Sequence, residues 1–143
     1  MNRCQRWTPA LLVTVLLAVQ AMTCNAEPPT ATIGVAVSVT PSAEAGVGTV
    51  LQTLKPGSEL QASETVRTGD AGQADLVFID RTNLSVEPTS EVVLDKFVYD
   101  PVGSSGKVVL QTKRGAFRFV TGKQDNSAYQ LQTPYGTLNV RGQ

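Results

Sequence analysis

A chain of 143 residues with 12 Lys+Arg, 12 Asp+Glu, two Cys and no His carries no net charge. That balance supplies no electrostatic footprint for nucleic acid, and the missing histidine removes the commonest general base and metal ligand. The length suits a single domain with one modest core.

The chain opens on a targeting signal. Arg3 and Arg6 form a short basic region, residues 10–22 (ALLVTVLLAVQAM) are apolar, and Cys24 and Ala26 place small residues ahead of Glu27. This is the layout of a secretory signal peptide, residues 1–26, cleaved after Ala26. The apolar run falls short of the roughly 20 residues of a membrane span. A lipoprotein signal with Cys24 as the acylated residue is disfavoured, because Thr23 stands where Gly, Ala or Ser is usual. Cleavage takes away both cysteines, Trp7 and two arginines, leaving 117 residues (143 − 26) with 10 Lys+Arg against 12 Asp+Glu. No disulfide, thiolate or ordinary zinc site remains, so apolar burial and backbone pairing must hold the core. The expectation is a periplasmic or secreted protein with no membrane span after cleavage and no cofactor.

Residues 27–45 read as a flexible leader and first strand, and residues 46–143 as the main domain. Gly and Pro recur at intervals that suit strands and turns: Pro56, Gly57, Gly69, Gly72, Pro88, Pro101, Gly115, Gly122, Pro134 and Gly136. Residues 58–68 (SELQASETVRT) form the one helix-compatible window, and its β-branched end argues against a helix. Between the punctuation, apolar residues alternate with period two: Ala74, Leu76 and Phe78; Leu84 and Val86; Phe117 and Phe119; Tyr129 and Leu131; Leu138 and Val140. Residues 91–99 (EVVLDKFVY) are apolar on both faces, as expected of a strand covered on both sides. Loops are expected at residues 40–49 and 100–107, both rich in turn formers. The fold class is all-β, with short strands in a twisted solenoid-like or small sandwich arrangement.

Chemistry is sparse. Serines occur, but none in Gly-x-Ser-x-Gly, and a Ser triad lacks its histidine. Asp70, Asp75, Asp80, Glu87, Asp95 and Asp100 are the available acid–base groups. A glycosidase would set two of them across a sugar-sized cleft with aromatic platforms, whereas isolated carboxylates read as surface groups and turn caps. Asp80 and Asn83 in DRTN could hold calcium or simply close a turn. Arg118, opposite two phenylalanines, either recognises a carboxylate or phosphate or is the solvated side of a half-buried strand. Tyr135, beside Pro134, is a core-edge aromatic or a ligand platform.

Several stretches in order resemble the FecR domain. They are residues 46–97, with the spine Leu-x-x-Gly, Val-x-Thr-Gly, Asp at a turn and Leu-x-Val-x-Pro-x-Ser-Glu-Val; RGAFRFVTG at 114–122; and TPYGTLNVRGQ at 133–143. The family commonly closes on Val-Arg-Gly-Thr, where this chain has Gln143. The resemblance implies a β-solenoid-like, twisted binding or signalling module, not an enzyme, with an envelope protein such as the signalling domain of an outer-membrane transporter as its partner. The namesake regulators carry a cytoplasmic anti-sigma segment and a membrane helix. Neither is read here, so control of a sigma factor is not carried over. Family chains usually continue past Val-Arg-Gly-Thr, so an end at Gln143 reads as either a minimal module or a truncated product. Arg118, Tyr135, Thr137, Asn139 and Arg141 are the candidate partner-binding residues, and the last strand is expected to bury Leu138 and Val140 while offering an open edge for a partner or for self-association. The competing reading is a cell-wall or carbohydrate-binding or -active envelope protein.

Overall fold

A computed structural model describes residues 31–102 and 105–140. The signal-peptide expectation and Arg141 therefore lie outside the described residues. The described chain is all-β, apart from one 3-10 turn at Asn126–Ala128. Twelve strands follow in order: β1 Thr32–Thr40, β2 Ala43–Val47, β3 Val50–Leu54, β4 Glu59–Gln61, β5 Thr65–Thr68, β6 Gln73–Phe78, β7 Asn83–Val86, β8 Glu91–Val98, β9 Lys107–Arg114, β10 Phe117–Val120, β11 Tyr129–Thr133 and β12 Gly136–Asn139. They form a five-stranded sheet, β10-β7-β6-β1-β4, and a seven-stranded sheet, β12-β11-β9-β8-β5-β2-β3. All pairings are antiparallel except that of β9 with β11.

One apolar cluster joins the sheets. Ile33, Leu60, Leu76, Phe78, Leu84 and Val86 come from the five-stranded sheet, and Leu54, Val66, Val92, Leu94, Val108, Leu110 and Tyr129 from the other. Of the two arrangements expected, the sandwich is therefore the one observed. The period-two residues Ala74, Leu76, Phe78, Leu84 and Val86 are all buried, because alternate residues of a half-covered strand share its inner face. Phe117 and Phe119 pack against the cluster while Arg118 between them is exposed.

Three expectations need correction. Residues 40–49, expected to be a loop, contain β2, which pairs with both β3 and β5. Glycine and alanine hid it: Ala43 and Ala45 fill inner positions where the sheets need small side chains. Residues 91–99 are not covered on both sides. Val92 and Leu94 are buried, but Val98 and Tyr99 are exposed. The last strand is exposed along its whole length, and only Val140 beyond it packs on the core. The helix-compatible window holds β4 and β5, separated by a turn in which Ser63 has φ 68°.

The ordered residues of the FecR-like spine meet at one end of the sandwich. Thr68 Oγ1 donates to the Glu87 carbonyl at 2.7 Å and accepts from the Ser90 amide at 3.0 Å. The Thr89 amide reaches the Gly69 carbonyl at 2.9 Å. Ser90 Oγ donates to the Pro88 carbonyl and accepts from the Ala116 amide, both at 3.1 Å. These residues close strand ends whose backbone groups would otherwise be buried without partners.

Candidate functional site

The seven-stranded sheet is two strands wider than the sheet it packs on, and its end strands β12 and β3 project beyond the cover. The projection can be followed along single rows of inward-facing residues. Leu110 on β9 pairs with Leu131 on β11, which pairs with Leu138 on β12. Leu110 is 1% exposed, Leu131 is half-buried and Leu138 is 61% exposed. At the opposite end Val66, Ala45 and Gln52 form the equivalent row, running from buried Val66 to exposed Gln52. Each row leaves the sandwich because the five-stranded sheet stops, at β10 on one side and at β4 on the other.

Where β12 overhangs β10 lies a groove of about 500 Å³, lined by Phe117, Leu131, Leu138, Pro134 and Tyr135 with Lys113 and Arg114 at its rim. Both flanking strands are sheet edges: among the described residues β10 pairs only with β7, and β12 only with β11. An unpaired edge presents a row of N–H and C=O groups at roughly 4.8 Å from where a neighbouring strand would lie. The groove thus lies beside two open backbone edges, with Leu131 and Leu138 in its lining.

Of the candidate residues, only Tyr135 lines this groove. Tyr135, 98% exposed, stands at the tip of the β11–β12 hairpin and lines the groove. Thr137 and Asn139 alternate with Leu138, so they point to the outer face of the seven-stranded sheet. Arg118 faces outward from the other sheet, in a cross-strand row with Ser85 and Asp75, beside a shallow hollow that includes Asn83. The structure brings Tyr135, Thr137 and Asn139 together on one hairpin and leaves Arg118 on a separate surface.

A second polar centre, which the sequence reading placed on the surface, is buried between the sheets. Asp80 caps the β6–β7 turn as expected, with Oδ1 accepting from the Thr82 amide at 2.9 Å. Yet it is fully buried, and its Oδ2 accepts from Thr82 Oγ1 at 2.7 Å, Tyr129 OH at 2.8 Å and Gln124 Nε2 at 3.2 Å. The Tyr129 oxygen in turn accepts from the amides of Gly122 at 3.0 Å and Gln124 at 3.3 Å. Asn83, by contrast, is exposed and donates from its side chain to the Arg81 carbonyl. The carboxylate is a lock: it ties β11 of one sheet and residues 122–124 to a turn of the other.

Burial pushes the Tyr129 phenol above its ordinary value of 10.0; Asp80 adds to the rise, while hydrogen bonds from Thr82 and Gln124 oppose it. The folded protein thus holds this proton more tightly than the unfolded chain. Stability from this group is complete below pH 10.0 and declines as pH rises from there through the raised folded value. Tyr129→Phe should abolish that alkaline decline, at a neutral-pH cost of about 1–3 kcal/mol for the polar groups left without the hydroxyl. Urea melts from neutral pH to above pH 10.0 check both.

Among the described residues no helix is long and apolar enough to cross a membrane. No curated protein and no solved structure matches the chain. Compared with models of known families, it matches the one described as FecR protein over residues 64–143, from the turn before β5 to beyond β12. That family consists of signalling regulators without enzymatic activity, whose FecR domains are typically periplasmic. Matched over more than half of its length, this chain belongs to the FecR protein family.

Proposed function

We propose that the protein is a non-enzymatic binding module of the periplasm or the secreted space that captures an extended segment of an envelope protein in the slot between β10 and β12. One observation carries the reading: the inner row Leu110–Leu131–Leu138 passes from buried to 61% exposed beside two unpaired strand edges. Strand addition suits such a place, since main-chain hydrogen bonds supply affinity and alternate side chains supply selectivity. The ligand segment is apolar on its inward side and acidic at the level of Lys113 and Arg114. Tyr135, Thr137 and Asn139 belong to the accepting hairpin, with Arg141 a further candidate outside the described residues, while Arg118 stands on the outer face of the other sheet.

A photo-crosslinking residue in place of Tyr135 should give a discrete adduct with one envelope protein, lost in Leu138→Asp. The same probe in place of Arg118 should give none. Because Leu138 is already 61% exposed, Leu138→Ala should change folding stability by no more than about 1 kcal/mol. Co-sedimentation with cell-wall sacculi, unaffected by Leu138→Asp, would instead favour the carbohydrate-binding reading. Export is tested by intact mass: the exported form should begin at Glu27, and retention of residues 1–26 or acylation at Cys24 would contradict it.

A further inference from the structure

The second overhang, β3 past β4, is built like the first but with the opposite charge. Its cleft, about 620 Å³, is bounded by β3 of the wide sheet and β4 of the narrow one, and is lined by Val47, Val50, Gln52, Glu59 and Glu64. Val47 and Val50 are 58% and 67% exposed. The Glu59 carboxylate accepts from the Thr32 hydroxyl and the Glu64 carboxylate from the Gln61 amide, and among the described residues neither meets a cation. The positive charges nearest in sequence, Lys55 and Arg67, do not line the cleft, and Arg67 is paired with Glu91. At the other overhang Lys113 bonds Gln111, and Arg114 stands 3.9 Å from Glu91.

We propose that copies of this chain join head to tail, the basic overhang of one lapping over the acidic overhang of the next. In this joint β12 of one copy lies alongside β4 of its neighbour, and the neighbour's β3 lies alongside β10. Each wide sheet then continues a narrow one, and the projecting inner faces, Leu131 and Leu138 on one side and Val50 and Gln52 on the other, cover each other. Simple abutment of like sheets does not achieve this, because joining the wide sheets edge to edge leaves the narrow ones about two strands apart. A closed two-fold lap of two basic or two acidic overhangs would also fill the slots. It would, however, set Lys113 and Arg114 against themselves, or Glu59 and Glu64 against themselves. Charge therefore selects the open, head-to-tail form.

The joint rests on the reading of the β10–β12 groove as a strand acceptor, and makes self-assembly and partner capture mutually exclusive there. Sedimentation velocity on the exported protein should show mass growing with concentration beyond a dimer and weakening at high salt. Lys113→Glu/Arg114→Gln and Glu59→Lys/Glu64→Gln, the glutamine at 64 keeping an acceptor for the Gln61 amide, should each shift assembly to about tenfold higher concentration. Mixed one to one, they should associate again, because each retains the overhang the other lacks. Circular dichroism melts confirm that both variants are folded. Three results would overturn the proposal: a folded protein that stays monomeric up to about 1 mM, a dimer that grows no further, or variants that assemble like the parent. A Tyr135 adduct with an envelope protein from a chain that never self-assembles would overturn the joint and leave the docking reading standing.

Discussion

Asp80→Ala is expected to lose about 3–5 kcal/mol of folding stability, a large share of the roughly 5–15 kcal/mol available to an ordinary domain. The carboxylate accepts four hydrogen bonds in a place with no exposure to solvent. Without it, the Thr82 amide and hydroxyl, the Gln124 amide and the Tyr129 hydroxyl lose their acceptor together. The Thr82 and Tyr129 hydroxyls are then left with each other, 3.3 Å apart. Buried donors left unpaired cost about 1–3 kcal/mol each, less what local water entry recovers. A fall in melting temperature of about 10–20 °C corresponds to that loss. Asp80→Asn, which keeps the shape and one acceptor oxygen, should fall between the parent and the alanine variant. A change under about 0.5 kcal/mol in Asp80→Ala, as for an ordinary surface site, would show that the lock does not hold the sheets.

Gly115→Ala is expected to cost about 2–5 kcal/mol by two routes. Gly115 has φ +94°, which an L side chain adopts only with strain of roughly 1–2 kcal/mol. A Cβ there would also fall on Ser90, against its Oγ, Cβ and Cα, where overpacking costs about 1–3 kcal/mol. Ser90 is the residue whose hydroxyl links the Pro88 carbonyl to the Ala116 amide, so the strain would spread into the joint between β8 and β10. Adding Ser90→Ala should relieve part of the overlap. The double variant is then less destabilised than the sum of the singles. Strict additivity in thermal melts would mean that the two residues do not press on each other.

The strands with alternating apolar residues were legible because burial on one face writes period two into the sequence. Residues 73–86 show it: every inward residue of β6 and β7 is apolar and buried. β2 was not legible, since alanine at its inner positions carries little apolar signal and Gly46 beside Gly48 looks like a turn. Leu138 misled for a different reason. Its alternation is correct and it faces the core side, but whether that side is covered depends on how far the opposite sheet extends, which no local pattern records. The Asp80 lock had one readable trace: Tyr129 alternates with apolar Leu131 on an inner face, and a buried tyrosine hydroxyl requires a partner. Naming Asp80 as that partner needed the contact across 49 residues. The family spine was readable as a resemblance, yet Thr68, Gly69, Pro88, Ser90 and Gly115 hold strand ends together. They identify the fold and say little about the slot, which is made by the relative width of the two sheets.

Strand addition at β10 and β12 is read directly by amide hydrogen exchange at those edges. In dilute protein, amides of Phe117–Val120 and Gly136–Asn139 that point away from β7 and β11 should exchange fast, while those of β6 and β8 are protected. When the slot is filled, by the crosslinked envelope partner or by a second copy at high concentration, the amides of the edge that gains a strand should become protected and the central strands should not change. Complex formation that leaves both edges exchanging as fast as in the dilute protein would contradict the account.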